Sequence, residues 1–571
     1  MSSISIRRLP SRARLETLAG LFVLAALVWA AKYWHSAEFG LYEDDYTRTP
    51  AAMEMTGRQV VAQVSENFKH LSDHGKPLHG SLIYSLTFLG SQFGGLRGVY
   101  GLGFLFVVGN TWLLFALLRR LQGAFFALVA GMAYALFAAD TSQAFLTHAL
   151  GLQPSMLFIL LAFHSYLSRK PWLGYGLALL SLITYETAFP LFLAAPLLLG
   201  KEQAGGASRW LSHVVVLGLI LAGVTSIRSV LGESRVSDLS WPMALITSGK
   251  HMIQGPIVSL GTYFYRPLQV LRSVDEDEWI MMGVGFAVLF SVLLALRTPA
   301  SNHVGQSVPA KRTRGPRNCL PKEFAQLGRM AVAGLILLVL AYPLTFTVRA
   351  YAISGRDTRV HFAAAPGASI LFACAWVAIL ALLSGPGRRA VGLAVLAGQL
   401  TLLLGFGLLV QHDYVLAWQL QKDFWRELVP LVPDAGEGTV VLVSPEGLQD
   451  PLQIGANTWA LPRVLEQMYD FPASWDRPPR VYRLISGWEA NIATAPGVFE
   501  INDGTTIAPP SSYVEVPSAN VILIETAGGR LTRTTAPRRI GDEVFALKEV
   551  GGSRAGGFGY RWLYYLLTQE G

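Results

Sequence analysis

The sequence predicts a polytopic α-helical membrane protein of about 11 transmembrane helices with a small C-terminal extracytoplasmic α/β domain. Over 571 residues the chain is 52% hydrophobic and 15% charged, with a mean hydropathy of +0.40, more apolar surface than a soluble core consumes. Apolar stretches of the roughly 20 residues that cross a bilayer as helix recur from position 15 to 410 and then stop. The charge balance reverses at the same place, with 33 basic and 19 acidic residues before position 411 and 13 and 19 after it. Two domains follow: a transmembrane module over 1–410 and an extracytoplasmic domain over 411–571.

The first span is Leu15 to Trp34, preceded by Arg7, Arg8, Arg12 and Arg14. The run is long, lacks a small-residue cleavage site and ends in interfacial aromatics, so it is read as retained rather than as a signal peptide. Ten more spans are expected near 97–118, 122–139, 152–167, 171–185, 187–200, 210–230, 279–297, 329–347, 363–384 and 390–410. This threading puts Arg119-Arg120, Arg169-Lys170, Lys201 with Arg209, the basic stretch from Arg297 to Arg329, and Arg388-Arg389 on the cytoplasmic side, with the N-terminus in and the C-terminus out. From Trp172 to Gly200, Pro190 and the mid-run Tyr185-Glu186 divide an apolar stretch too long for one upright helix. Two short helices meeting at the outer face are expected, with one kinked helix as the rival. The Pro-, Ser- and Gly-rich segment from Thr298 to Lys322 reads as a flexible cytoplasmic connector.

Four segments then lie outside: 35–96, 231–278, 348–362 and everything after 410. In the last, Tyr414 to Leu428 reads as an amphipathic helix, while Thr439 to Val443 and Asn520 to Ile524 read as buried strands. Basic residues are not interleaved with aromatics as in nucleic-acid readers, which sets nucleic acid aside. Cys319 and Cys374 make neither a disulfide framework nor a cysteine zinc site. Gly101-Leu102-Gly103 lies inside a span and is packing, not a phosphate loop.

Chemistry is sought first at Tyr42-Glu43-Asp44-Asp45-Tyr46, about ten residues past the first span. Three successive acids at a membrane surface are either a solvated loop or catalytic carboxylates. In the second case one of Glu43, Asp44 and Asp45 accepts the proton of an acceptor hydroxyl as that oxygen attacks an anomeric carbon. A neighbouring acid then positions the acceptor or holds a divalent cation, Mg or Mn. An interfacial amphipathic stretch from Met53 to Leu71 follows, and then Lys76-Pro77-Leu78-His79.

Other outer residues draw attention through cost. A carboxylate at bilayer depth, as at Glu186, costs roughly 2.5–3.5 kcal/mol unless paired or wet. Arg349, Arg356, Arg359 and His361 gather positive charge on the side the positive-inside rule disfavours, which asks for an anion or for pairing with Asp357 and headgroups. Lys250, His251, Tyr263, Tyr265 and Arg266 sit in a loop long enough to fold over a cavity, although such aromatics also serve as interfacial anchors. The acidic run from Asp275 to Glu278 reads as solvated, and His148 and His164 as satisfied interfacial histidines.

A first span, an acidic motif opening a long outer loop, and interfacial helices resemble the GT-C class of membrane glycosyltransferases. Thr184-Tyr185-Glu186 with Phe189-Pro190, and the run from Arg356 to His361, add to the resemblance, which covers most of 15–440 in layout. The chain departs from that pattern with Lys76 where arginine often stands, and with an acidic triplet that leaves the base ambiguous. The resemblance implies a polyprenyl-phosphate-linked sugar donor and inverting transfer to an extracytoplasmic glycan, lipid or protein. It also implies residence in the bacterial inner membrane, a base at Asp44 or Asp45, and substrate contacts from Lys76, His79, Tyr185, Glu186, Arg266, Arg356, Arg359 and His361. The rival functions are an O-antigen ligase or polymerase, which typically has a larger late loop than 348–362, and a flippase or transporter of a lipid-linked or polysaccharide precursor. No repeated halves support a transporter.

Overall fold

Proline sets where many of the helices start. The computed structural model describes residues 11–71, 75–199, 206–231, 240–273, 276–297, 320–345, 349–443, 461–483, 492–495, 498–502, 513–540, 543–551 and 558–569. Arg7, Arg8, Lys201, Asp275, Cys319 and most of the connector from Thr298 to Lys322 lie outside the described residues. Helix α1, Ser11–Val28, continues into a π turn, Trp29–Tyr33. Two outer helices follow, α2 (Asp45–Glu54) and α3 (Gly57–Lys69), the latter closed by a Thr56/Gln59 capping box. Then come α4 (Pro77–Gln122), α5 (Ala124–Ala135), α6 (Leu146–Gly151), α7 (Gln153–Leu167) and α8 (Pro171–Thr184). A 3₁₀ stretch, Glu186–Leu198, is followed by α9 (Gly206–Val230), α10 (Trp241–Ser273), α11 (Glu276–Arg297) and α12 (Leu320–Leu340). A second 3₁₀ stretch, Arg356–Ala364, leads into α13 (Ala365–Leu382) and α14 (Pro386–Leu431). Proline occupies the first or second position of α4, α7, α8, α13 and α14, where its missing N–H has no intrahelical partner to lose.

Among the described residues six helices are long and apolar enough to cross a membrane: Pro77–Gln122, Leu146–Leu167, Ser208–Val230, Glu278–Leu296, Arg356–Leu382 and Pro386–Leu431. Five shorter apolar helices fall on the remaining expected spans. The shortest of these, the 12 residues of α5, rises about 18 Å, less than a hydrocarbon core of about 30 Å.

Three segments differ from the sequence reading. The outer loop expected over 231–278 is largely helix α10, with Pro256 and Pro267 inside it; those prolines and the polar residues between them gave it a loop-like pattern. Helix α4 begins 20 residues before the expected span, because Gly95, at φ 58, lets a first helical piece turn into the longer apolar one. Helix α14 runs unbroken through position 410, where the domain boundary was expected. Its 46 residues extend about 69 Å, more than twice the hydrocarbon thickness of about 30 Å, so the helix is too long to lie within one hydrocarbon core.

The C-terminal region is built on β1 (Val440–Val443), which pairs in parallel with β3 (Arg480–Arg483) and β7 (Val521–Ala527), while β2 (Tyr469–Asp470), β4 (Ile492–Ala495), β5 (Val498–Asn502) and β6 (Tyr513–Pro517) belong to smaller sheets. The order is β3-β1-β7-β8, with β8 (Arg530–Thr534) antiparallel to β7. All four residues of β1 are buried, as expected of a central strand covered on both faces. The Arg533 guanidinium forks onto Asp434 at 2.5 and 3.1 Å; burial is the largest single influence and raises that carboxyl, but the Arg533 bonds, the Gly551 N–H and the Arg533 charge together outweigh it and hold the group below the usual range. One continuous apolar core joins the helices to this sheet, from Leu24 through Trp425 to Val441 and Leu563.

Candidate functional site

The acidic motif sits where the chain crosses from the π turn into α2, and its neighbours fix it tightly. Gly40 lies so close to the Trp418 ring that an added Cβ would come within 1.8 Å of it. The Tyr100 hydroxyl lies 2.8 Å from the carbonyls of both Gly40 and Ala144, and the Tyr42 hydroxyl donates to the Tyr414 carbonyl at 2.8 Å. Tyr42 and Tyr414 pack edge to face at 5.0 Å.

Glu43 occupies the left-handed region at φ 45, uncommon for a residue with a side chain, and this turn separates Asp45 from the other two acids. Asp45 points inward and is fully buried. Its carboxylate accepts the backbone N–H of Thr147 (2.8 Å), Leu146 (3.1 Å) and Tyr42 (3.2 Å), tying the motif to the start of α6. Burial outweighs those three donors and pushes the Asp45 carboxyl up to about 7. Glu43 and Asp44 instead face Arg356, whose Nη1 lies 3.2 Å from Glu43 Oε2 and whose Nη2 lies 2.7 Å from Asp44 Oδ2. Asp44 is the most exposed partner, at 28% of its side chain against 11% for Glu43.

Arg356 opens the 3₁₀ stretch after Gly355, itself at φ 66. Thr358 holds that stretch down: its hydroxyl accepts the Thr141 N–H at 3.0 Å, lies 3.0 Å from the Thr141 hydroxyl, and donates to the Gly355 carbonyl at 2.8 Å. Arg359 reaches His148 Nε2 at 3.4 Å.

A second charged cluster lies across α6. Lys76 Nζ sits 3.0 and 3.2 Å from the two oxygens of Glu186, and Arg228 Nη1 lies 4.0 Å from the same carboxylate. Lys76 also lies over the Tyr185 ring at 4.7 Å, and His79 packs on Tyr185 at 5.9 Å. The two clusters meet at α6. His148 interacts electrostatically with Arg359, Arg356 and His79, and an added Cβ on Gly151, one turn further, would come within 2.3 Å of the His79 ring. Arg48 and Lys76 in turn act on His79.

The structure thus brings Glu43, Asp44, Arg356 and Arg359 together, and beside them Lys76, His79, Tyr185 and Glu186. Arg266 and His361 lie apart from both groups. His361 is fully buried between the Tyr342 hydroxyl (2.8 Å), the Ser259 hydroxyl (3.2 Å) and the Ala352 carbonyl (2.9 Å). The Ala352 contact requires a proton on Nε2 and leaves Nδ1 as acceptor. Arg266 donates to Gln269 at 2.7 Å and to the Ile353 carbonyl, and lies over the Phe406 ring at 4.5 Å. Both side chains brace the segment before Arg356. His251 bonds the Thr345 carbonyl at 2.7 Å and is likewise internal to the fold.

Three participants were missed or discounted in the sequence. Arg228 had a readable signal, a lone charge near the end of an apolar run, the same signal that marked Glu186. Arg48, two residues beyond the motif, had none. His148 looked like an interfacial residue until folding placed Arg359 beside it. Asp140, buried and tied to the Ser142 N–H (3.0 Å) and hydroxyl (2.6 Å), lines a small cavity together with Lys32, Phe39, Gln143, Gln411 and Tyr414. None of the eleven candidate side chains lines that cavity. The donor set does not fit a divalent cation at the motif, because Asp45 is turned onto backbone donors while Glu43 and Asp44 share a guanidinium. Among the described residues no three histidine, cysteine or acidic side chains gather as a metal site elsewhere.

No protein-family model matches the chain, and no curated protein matches it. The solved structures to which the chain is similar include two of ArnT from Cupriavidus metallidurans. The apo form is 12% identical, over 77% of this chain and 83% of that one, with a TM-score of 0.34. The form bound to undecaprenyl phosphate is 16% identical, over 77% of this chain and 85% of that one, with a TM-score of 0.30.

Proposed function

We propose that this chain is a GT-C-type glycosyltransferase of a bacterial inner membrane. It moves a sugar from a polyprenyl-phosphate donor to an extracytoplasmic acceptor and inverts the anomeric centre. The observation that carries this reading is the pairing, on either side of α6, of a partly exposed carboxylate at Asp44 with a cation-rich cluster at Lys76, Arg228 and Glu186. Both lie where apolar helices end, the depth at which a lipid phosphate resides.

Asp44 is the base. Its carboxylate takes the acceptor hydroxyl's proton while that oxygen forms the new bond to the anomeric carbon, and the bond from that carbon to the phosphate oxygen breaks with its electron pair. Asp45 holds the motif on α6 and does not touch the sugar. Lys76, Arg228 and Arg48 gather three cationic groups, and Glu186 one carboxylate, around His79 and Tyr185. The donor is a phosphodiester with one negative charge, whereas the departing monoester carries about −1.5 to −2. A fixed positive cluster therefore stabilises the departing group more than the bound donor, which lowers the barrier and not only the binding energy. On this charge balance the Lys76 side receives the phosphate, with Arg359 as a further contact. Arg266 and His361 act as braces. The N-terminus lies in the cytoplasm, and the region beyond α14 faces the acceptor.

Transfer by the purified protein from a panel of radiolabelled polyprenyl-phosphate sugars tests the reading. Label should leave at least one donor, and Lys76→Gln should slow its departure by about 10²-fold or more, the scale of one lost electrostatic donor. If no donor reacts while labelled lipid crosses reconstituted vesicles, the chain is a transporter.

A further inference from the structure

Arg356 occupies a contested position. Its two Nη groups take the carboxylates of Glu43 and Asp44 at 3.2 and 2.7 Å, so the oxygen proposed as base already accepts a charged hydrogen bond. Arg359 follows one 3₁₀ turn later, and in that helix residues i and i+3 eclipse, which places both guanidinium groups on one side of the stretch. Arg359 is differently employed: its guanidinium reaches the ring nitrogen of His148, at 3.4 Å, and the buried Nε of each arginine has no hydrogen-bond partner among the described residues. Two neighbouring cations therefore differ in their engagement, one held by two acids and the other beside a histidine.

The backbone on both sides of the ion pair departs from the ordinary basins. Glu43 sits at φ 45, a conformation that costs energy in a residue with a side chain and is kept only where surrounding contacts impose it. Gly355, at φ 66, directly precedes Arg356 and permits a backbone rotation that other residues resist.

From these contacts we infer that Arg356 is a positioning residue with two competing stations, a clasp on Glu43 and Asp44 and a ligand of the donor phosphate. The inference rests on the lipid-phosphate reading above. A phosphate arriving at Arg359 competes for the adjacent guanidinium. When Arg356 moves to the phosphate, Asp44 loses that charged hydrogen bond and becomes the better acceptor for the incoming hydroxyl's proton. The base is thus uncovered only once a donor is present, which suppresses futile proton transfer to an acceptor or water bound alone. Linkage makes the effect reciprocal: acids that hold Arg356 weaken phosphate binding by the same factor by which phosphate loosens the clasp.

Equilibrium binding of farnesyl phosphate to the purified full chain, at fixed salt, tests the clasp through a double-mutant cycle. Neutralising both acids (Glu43→Gln with Asp44→Asn) should tighten binding, and the gain should be about tenfold larger with Arg356 present than in the Arg356→Gln background. Charges that act only through their fields add, so equal gains in the two backgrounds would overturn the clasp while leaving the lipid-phosphate reading intact. Arg356→Lys keeps the charge but cannot bridge both carboxylates, and should retain only part of the gain; retention of all of it would also count against the clasp. Absence of farnesyl phosphate binding to the wild type, or binding indifferent to both Lys76→Gln and Arg359→Gln, would overturn the functional reading and this inference with it.

Discussion

At the scale of single residues, one backbone dihedral separates Asp45 from the two carboxylates before it. Glu43 at φ 45 turns Asp45 into the protein and leaves Asp44 facing Arg356. Asp45 is raised to about 7 in the folded chain, against roughly 3.9 for an unfolded aspartate. Between those values the folded state binds more protons than the unfolded one, so this group makes stability fall as pH rises from about 4 to about 7. Thermal melts of wild type and Asp45→Asn across that window should show the wild-type decline flattened in the variant. An unchanged slope would remove Asp45 as its source. The acids were legible in the sequence as a motif, but their division of labour was not, because it depends on φ at Glu43 and on N–H groups a hundred residues away at Leu146 and Thr147.

At the scale of elements, the site is assembled by short irregular pieces held between long helices. The 3₁₀ stretch that carries Arg356 and Arg359 is fastened to the segment before α6 through Thr358 and Thr141. Thr358→Val keeps the shape but leaves the Thr141 N–H without its acceptor, a loss of roughly 1–3 kcal/mol. The variant should melt earlier and lose activity by misplacing Arg356, measured as a fall in transfer rate that excess donor does not rescue. Full activity with a lowered melting temperature would show that the link stabilises the fold without positioning the site. The desolvation cost of a lone acid marked Glu186 in the sequence, yet that cost names no partner: Lys76 lies 110 residues earlier and Arg228 on α9. Long helices misled in the opposite direction. Segment 231–278 read as loop because Pro256 and Pro267 interrupt its pattern, whereas packing against α12 and α14 keeps it helical.

At the scale of the whole molecule, apolar runs and charge clusters in the sequence were enough to indicate a helical membrane module, and the parallel strands after it were visible as the short apolar runs that became β1 and β7. The join between the parts was not visible, since α14 carries one continuous helix through it and Glu427 near its end accepts the Leu531 N–H of β8 at 2.8 Å. The threading predicts that this region faces away from the cytoplasm. A cysteine placed at exposed Arg530 (Arg530→Cys) should react with a membrane-impermeant maleimide in spheroplasts without lysis, and labelling only after lysis would reverse the orientation.

The central claim is that Asp44, and not its neighbour, performs the chemistry. Single-turnover transfer from a saturating polyprenyl-phosphate sugar, in wild type, Asp44→Asn and Asp45→Asn forms matched for folded content, tests it most directly. Asp44→Asn should slow the chemical step by about 10²- to 10⁴-fold with donor affinity kept or improved, while folded Asp45→Asn loses far less. A fast Asp44→Asn enzyme, or a dead Asp45→Asn enzyme with native stability, would contradict it.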